Sequence, residues 1–358
     1  MAGLRSNSAW WAIQKQLAQG TAAAGTAASA FKIPFAGGSI GPVRETDRLA
    51  ETDSSVDQGD PYVTASGVEG SPEAYVRDSY LPLLLHGVLN GAIVSSGTTN
   101  FTHQIDAAAN DMPYYTIWKD IGAQSATTPF AALAPGIMEK FVDCRIGSAT
   151  ISAEAGSPLT IAAGIQGRIP TNEDAPASIA GLAMSQDPVY LYSHATDYAA
   201  NPDVSLIKLN NGATFKIRSF ELTIENNVSR QQTNTVYPLD VPAGVREVTL
   251  GFDLVFDDNS MYEQYHYAGG VDATTNIYTL GSTIAAPGAQ FIFRRGTNNE
   301  VSFTLPKIAV EEFPVEPDPG GDPIVVPVRG VALRGTATDP IVRATVKNQN
   351  AGTAYAGA

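Results

Sequence analysis

"SFELTIENNVS", residues 219–229, and "REVTLGFDLVFDD", residues 246–258, decide what kind of chain this is. In the first, Phe220, Leu222 and Ile224 alternate with Ser219, Glu221, Thr223 and Glu225. In the second, Val248, Leu250, Phe252 and Leu254 alternate with Glu247, Thr249, Gly251 and Asp253. Successive side chains of an extended strand point to opposite faces. A period of two with one apolar set therefore predicts half-buried strands of an antiparallel sheet. The face turned to water is polar and acidic, and Asn226-Asn227 supplies turn chemistry after the first run.

The same texture extends in both directions. "CRIGSATISAEAGSPLTIAAGIQGR", residues 144–168, reads as a second strand pair with its turn at 154–158. Residues 146–152 match 217–223 in type, and Leu159, Thr160, Ile161 and Ile165 match Val248, Thr249, Leu250 and Leu254. An internal duplication follows as an expectation. "FKIPFAGGSIGPVRE" from Phe31 is strand-like and broken by glycines, "NEVSFTLPKIAVEEF" (299–313) is a further strand, and "TDPIVRATVKNQN" (338–350) is the last. One segment, "SPEAYVRDSYLPLLLHGVLNG", predicts a helix over about 72–90, with Ser71 as N-cap, a kink at Pro82, and Asn90-Gly91 as its end. Trp10, Ile13 and Leu17 stand at helical spacing, which predicts a short N-terminal helix docked through Trp10 and Trp11 on its own domain or on a neighbouring subunit. The chain divides into an arm and low-complexity segment (1–30), a first β-half (31–204) and a second β-half (205–358). An acidic, Pro-rich loop at 314–324 interrupts the second half.

The 358 residues include 22 Lys and Arg against 36 Asp and Glu, a net charge of −14. Such a surface repels nucleic acid and anionic membrane at long range; DNA can pass it but is not held by it. One cysteine, Cys144, excludes an internal disulfide framework and any cysteine-based zinc site. No apolar run reaches the roughly 18 residues of a membrane helix. The "ASA" at 28–30 follows a stretch containing Lys15 and three glutamines, which is not a secretory leader.

Chemistry-bearing patterns are thin. "GGSIG" (37–41) has the spacing of a nucleophile elbow around Ser39, but Pro42-Val43-Arg44-Glu45 follows where a helix should receive the turn. The four histidines, His86, His103, His194 and His266, have no metal-ligand spacing. Asp253, Asp257 and Asp258 lack the glycine and oxygen ligands of a calcium loop. No metal, no cofactor and no enzyme activity are expected. A β-rich hydrolase built on Ser39 is the rival that a fluorophosphonate probe would expose.

Taken in order, the helix at 71–91, "FVDCRIGSATISAEAGSPLTIAAGIQGR", "IRSFELTIENNVS", "REVTLGFDLVFDD", "VSFTLPKIAVEEF" and "DPIVRATVKNQN" make a succession. It resembles that of the tail tube (major tail) proteins of long-tailed, non-contractile bacteriophages, from about Phe31 to Asn350. The resemblance implies a mainly β fold: an antiparallel β-sandwich or barrel of the tail-tube type with a flanking α-helix, readable as two related β-halves. It implies a structural virion protein of the viral tail, made in the host cytoplasm, whose rings stack into a hollow tube conducting the genome. Its partners would be itself, the tape measure protein, the tail terminator and the tail-tip proteins. The ring would be a trimer with pseudo-sixfold symmetry if each chain supplies two ring-forming sheets, the reading slightly preferred, or a hexamer if the second pair only completes one sandwich. Glu221, Glu225, Glu247 and Asp253 are then expected to face the lumen, and Trp10 and Trp11 to serve an inter-subunit arm. Another self-assembling virion protein, such as a tail terminator, decoration or fibre component, is the structural alternative.

Overall fold

The computed structural model describes residues 9–48, 60–121, 137–173, 175–183, 188–189, 207–209, 214–256, 262, 271–272, 277–278, 288–295, 298–316 and 324–356. The first half of the chain forms strands β1 (Trp10–Lys15), β2 (Ala30–Pro34), β3 (Ile40–Asp47), β4 (Tyr62–Gly70) and β5 (Glu73–Tyr75). Helix α1 (Leu81–Leu89) follows, then β6 (Ile93–Ser96), β7 (Phe101–Asp106), β8 (Tyr115–Ile121), β9 (Ile137–Glu154), β10 (Thr160–Gly167), β11 (Ile169–Thr171) and the short helix α2 (Ala177–Ala180). The second half forms β12 (Ile207–Leu209), β13 (Thr214–Phe215), β14 (Ile217–Glu225), β15 (Glu247–Val255), β16 (Val271–Asp272) and β17 (Ile277–Tyr278). It ends with β18 (Ala289–Arg295), β19 (Asn299–Leu305), β20 (Lys307–Glu312), β21 (Val325–Leu333) and β22 (Arg343–Asn348).

The fold is mainly β and antiparallel. One sheet contains the run β3–β4–β10–β9–β14–β15–β21–β20, with β5 continuing along β10 where β4 stops. The N-terminal part of β9 also carries β8, β1, β2 and β11. The second sheet runs β13–β12–β18–β19–β22–β7–β6. Phe220 of β14 meets Phe291 and Phe293 of β18 at ring-centroid distances of 4.9 Å each, and Phe252 of β15 meets Phe291 at 5.8 Å. These contacts lay one sheet on the other as a sandwich. Strands of both chain halves enter each sheet and share one apolar core.

Helix α1 is buried along its whole length and packs on β9, with Gly87 against Ile146. It is shorter than the sequence predicts. Pro82 sits in its first turn, where the missing N–H costs nothing, so proline opens the helix instead of kinking it. The preceding Glu73–Tyr75 is spent as strand β5 against β10. At the other end Asn90 takes the left-handed conformation (φ 63°) and closes the helix, its N–H bonded to His86 O. No described helix is long and apolar enough to cross a membrane.

Two further expectations change, and a third is located. Residues 299–313 form two strands in two sheets, because Pro306 between β19 and β20 cannot continue a ladder and turns the chain from one layer to the other. The break in "FKIPFAGGSIGPVRE" falls at Gly38, whose φ of +62° lets the chain turn between β2 and β3. Trp10, Ile13 and Leu17 lie on no helix. Trp10–Lys15 is strand β1, held between β2 and β8, and Leu17 beyond it is exposed.

The N-terminal misreading has a physical cause. Strand β1 is covered on both faces: Trp11 and Ile13 enter the main core, while Trp10 and Ala12 join a smaller cluster with Trp118 and Ile179. A strand buried on both sides shows no period of two. Both indoles are 0% exposed within the chain itself. Docking on the chain's own domain is what the structure displays, with Lys32 Nζ 4.4 Å above the Trp10 ring. Most of the acidic Pro-rich loop (317–323), together with His194, His266, Asp257 and Asp258, lies outside the described residues.

Candidate functional site

The sheet containing β14 and β15 has one dry face and one wet one. Phe220, Leu222, Ile224, Val248, Leu250, Phe252 and Leu254 are buried, as the alternation predicts. Between them, Glu221, Glu225 and Glu247 are exposed and Asp253 is half-exposed. The ladder places these four carboxylates in rows with residues of β9 and β21. Ser152, Glu221, Gly251 and Arg329 lie in one row, Thr150, Thr223, Thr249 and Val331 in the next, and Ser148, Glu225 and Glu247 in a third. Glu154, Ser219, Asp253 and Pro327 make a fourth.

Short hydroxyl side chains tile the face between the acids. Thr150 Oγ1 and Thr223 Oγ1 are 3.2 Å apart across the β9–β14 seam, and Ser152 Oγ and Thr160 Oγ1 are 3.0 Å apart across β9–β10. Such cross-strand hydroxyl pairs stabilise the neighbouring strands. Arg329 lies in the row of Glu221 and brings a cation to this face. Its guanidinium occupies the notch left by Gly251, where an added Cβ would lie 2.1 Å from Nη1. Among the described residues none of the four carboxylates is in an ion pair. Glu225 and Glu247 stand directly opposite each other, an arrangement that destabilises a strand pair.

Residues 144–168 contribute more than the sequence reading assigned them. Glu154, Ser152, Thr150 and Ser148 continue the same face, and the signal was present in their alternation with Ala153, Ile151 and Ala149. The other titratable groups are structural. Burial and nearby Lys15 push His86 down to about 4, and its Nδ1 lies 2.8 Å from the Tyr115 hydroxyl. His103 bridges Ser95 and Asn348 at 2.8 and 2.9 Å. Burial, then the neighbouring Asp143, raises the Cys144 thiol far from reactivity. Ser39 leads into strand β3 and not into a helix. An open cleft of about 660 Å³ carries Arg145 and Arg246, but both guanidiniums brace the 226–246 loop. Arg145 Nη1 donates to Val241 O at 2.8 Å and Arg246 Nε to Asn226 Oδ1 at 2.8 Å.

A family model described as phage tail tube protein matches residues 12–341. The chain belongs to that family. None of the curated proteins searched matches it. The match runs from β1 to the approach to β22, so it takes in both sheets and the whole acidic face. This tail tube protein is thus a structural protein of the phage tail, a virion component that assembles with other tail proteins.

Proposed function

We propose that the subunit polymerises as stacked rings into the hollow tube that conducts the genome into the host, with the acidic face lining the bore. The observation that carries this is the asymmetry of one sheet. Its inner side is sealed in the sandwich core, and its other side is a broad hydroxyl and carboxylate surface at mid-sheet. Glu221, Glu225, Glu247 and Asp253, joined by Glu154, repel a polyphosphate. DNA then slides without the counterion-releasing contacts that act as brakes. Among the described residues β3 and β20, at the two ends of the eight-stranded run, each pair with one neighbour only, and such edges provide the means to join copies. Tape measure protein, tail terminator and tail-tip proteins are the partners at the bore and the two ends, and assembly takes place in the host cytoplasm before the tail joins the virion.

The experiment is a phage carrying Glu221→Lys, Glu225→Lys, Glu247→Lys and Asp253→Lys together. Tails should assemble, while genome ejection slows by an order of magnitude or more at low salt and recovers as salt rises. Ejection at the parental rate from normal tails would refute the lumen assignment.

A further inference from the structure

One end of the β14–β15–β21 strands holds two cations without a counter-ion. Asn226 follows β14 there, Arg246 precedes β15 and Arg334 follows β21. All three line the open cleft of about 660 Å³, together with Asn90 and Arg145. The β15–β21 register sets Thr249 opposite Val331, and continuing it sets Arg246 opposite Arg334. Arg145 is neutralised by Asp240 at 3.4 Å. Arg246 Nε donates to the neutral amide of Asn226, and Arg334 is exposed. Among the described residues neither Arg246 nor Arg334 is in an ion pair, and Asp111, which also lines the cleft, pairs with neither. Burial, then the charge of Arg334, pulls Arg246 below its usual value. Like charges facing each other across a strand pair cost stability, and a carboxylate set between two guanidiniums reverses that cost.

The other end of the same strands offers such a carboxylate. There β15 stops at Val255, opposite Val325 at the start of β21. Strand β20 is antiparallel to β21, so the chain leaves it at Glu312 heading away from the cleft. Pro314, Val315 and Glu316 follow, and Glu316 is exposed and in no ion pair among the described residues. A nine-residue strand such as β15 puts about 30 Å between the two ends. Within one chain the cation pair and this acid therefore stand apart.

Resting on the tube reading above, we infer that the cleft is a carboxylate-binding site filled by Glu316 of a second copy of this chain, its carboxylate between Arg246 and Arg334 and its Pro314-Val315 neighbours against Val245. Complementarity selects this occupant. Val245 lines the cleft and is 82% exposed, so the charged notch has an apolar lip for the short apolar residues beside the acid. Glu316 precedes Pro317, and a residue before proline favours extended backbone, so the segment loses little freedom on docking. Glu225 and Glu247 end and begin the strands beside the cleft, and they disfavour a polyphosphate more than a single carboxylate. Site and ligand lie at opposite ends of the same strands. Each copy therefore keeps a free cleft at one end and a free acid at the other, and the contact repeats along the strand direction without closing on itself.

The test is a charge exchange in phage carrying the full-length chain. Arg334→Glu and Glu316→Arg alone should each cut the yield of complete tails at low salt by about tenfold or more, and the loss should shrink as salt rises. The two changes together should return the yield to within about threefold of the parent. Both side chains are exposed, so the unfolding midpoint of each unassembled variant should stay at the parental value. Parental yields from both single variants, or a double variant no better than either single, would overturn the site. Normal tails from Arg334→Glu with an altered rate of DNA ejection would give that arginine to nucleic acid and overturn it as well. Failure of the tube reading looks different: a phage lacking this chain would still build tubes.

Discussion

Replacing Glu247 by lysine should strengthen the subunit and spoil its polar face. Glu247 stands across from Glu225 at the end of the β14–β15 pair, and both are exposed. Like charges directly opposite destabilise a strand pair, and an opposite-charge pair contributes roughly 0.2–1 kcal/mol. Reversing one sign therefore shifts stability upward by about 0.5–1.5 kcal/mol, less at high salt. With a urea m-value of about 3 kcal/mol per M, the unfolding midpoint of the unassembled subunit rises by roughly 0.2–0.5 M. The cost falls on the tube. Lysines repeated around the bore offer phosphate contacts, and each contact formed steepens the salt dependence of DNA retention by about 0.9 in log–log slope. Urea titration and salt-dependent retention of duplex DNA in assembled tubes read the two arms separately. A variant that is less stable, or whose tubes ignore DNA at every salt concentration, refutes the view that this carboxylate pair is kept for the bore at the expense of the fold.

Other outcomes follow from the interior. Phe220→Ala removes the ring shared with Phe291, Phe293 and Phe303 and should cost about 3–5 kcal/mol, measured by denaturant unfolding of the subunit. Gly87→Ala places a Cβ 2.6 Å from Ile146 Cδ1, so the better helix former should nevertheless destabilise by about 1–2 kcal/mol. Adding Ile146→Ala should make the change at position 87 nearly neutral in a double-mutant cycle. His86 is held down to about 4 by burial and Lys15, against an unfolded value of 6.5. Its unfolded form therefore binds more protons between those values. The contribution is full above about pH 6.5 and is lost as pH falls towards 4, by up to about 3 kcal/mol. The difference in unfolding free energy between wild type and His86→Gln, measured from pH 7 to pH 4, should shrink by that order.

What the sequence made legible tracks how each strand is exposed. Strands β14 and β15 have one dry and one wet face, so Phe220 to Leu254 could be assigned to core or surface residue by residue. Strand β1 has two dry faces, and its tryptophans carried no period to read. Pro82 and Pro306 were visible as punctuation, but whether a proline opens a helix, kinks it or turns a corner depends on what the neighbouring residues pair with. Glu73–Tyr75 goes to β10, and that partner lies about ninety residues away in sequence. The likeness of residues 146–152 to 217–223 has a related reason. Side-chain type records which face is buried, and β9 and β14 share that property because they are neighbours in one sheet. The acidic face itself was readable, yet Glu154 and the hydroxyl rows joined it only once β9 was seen beside β14.

The most direct measurement is electron cryo-microscopy of intact phage tails, with side-chain density sufficient to trace this chain. The account predicts the chain in the tube wall, with Glu221, Glu225 and Glu247 pointing into the bore. Density that places the chain outside the tube, or that turns the β14–β15 carboxylates to the outer surface, would contradict it.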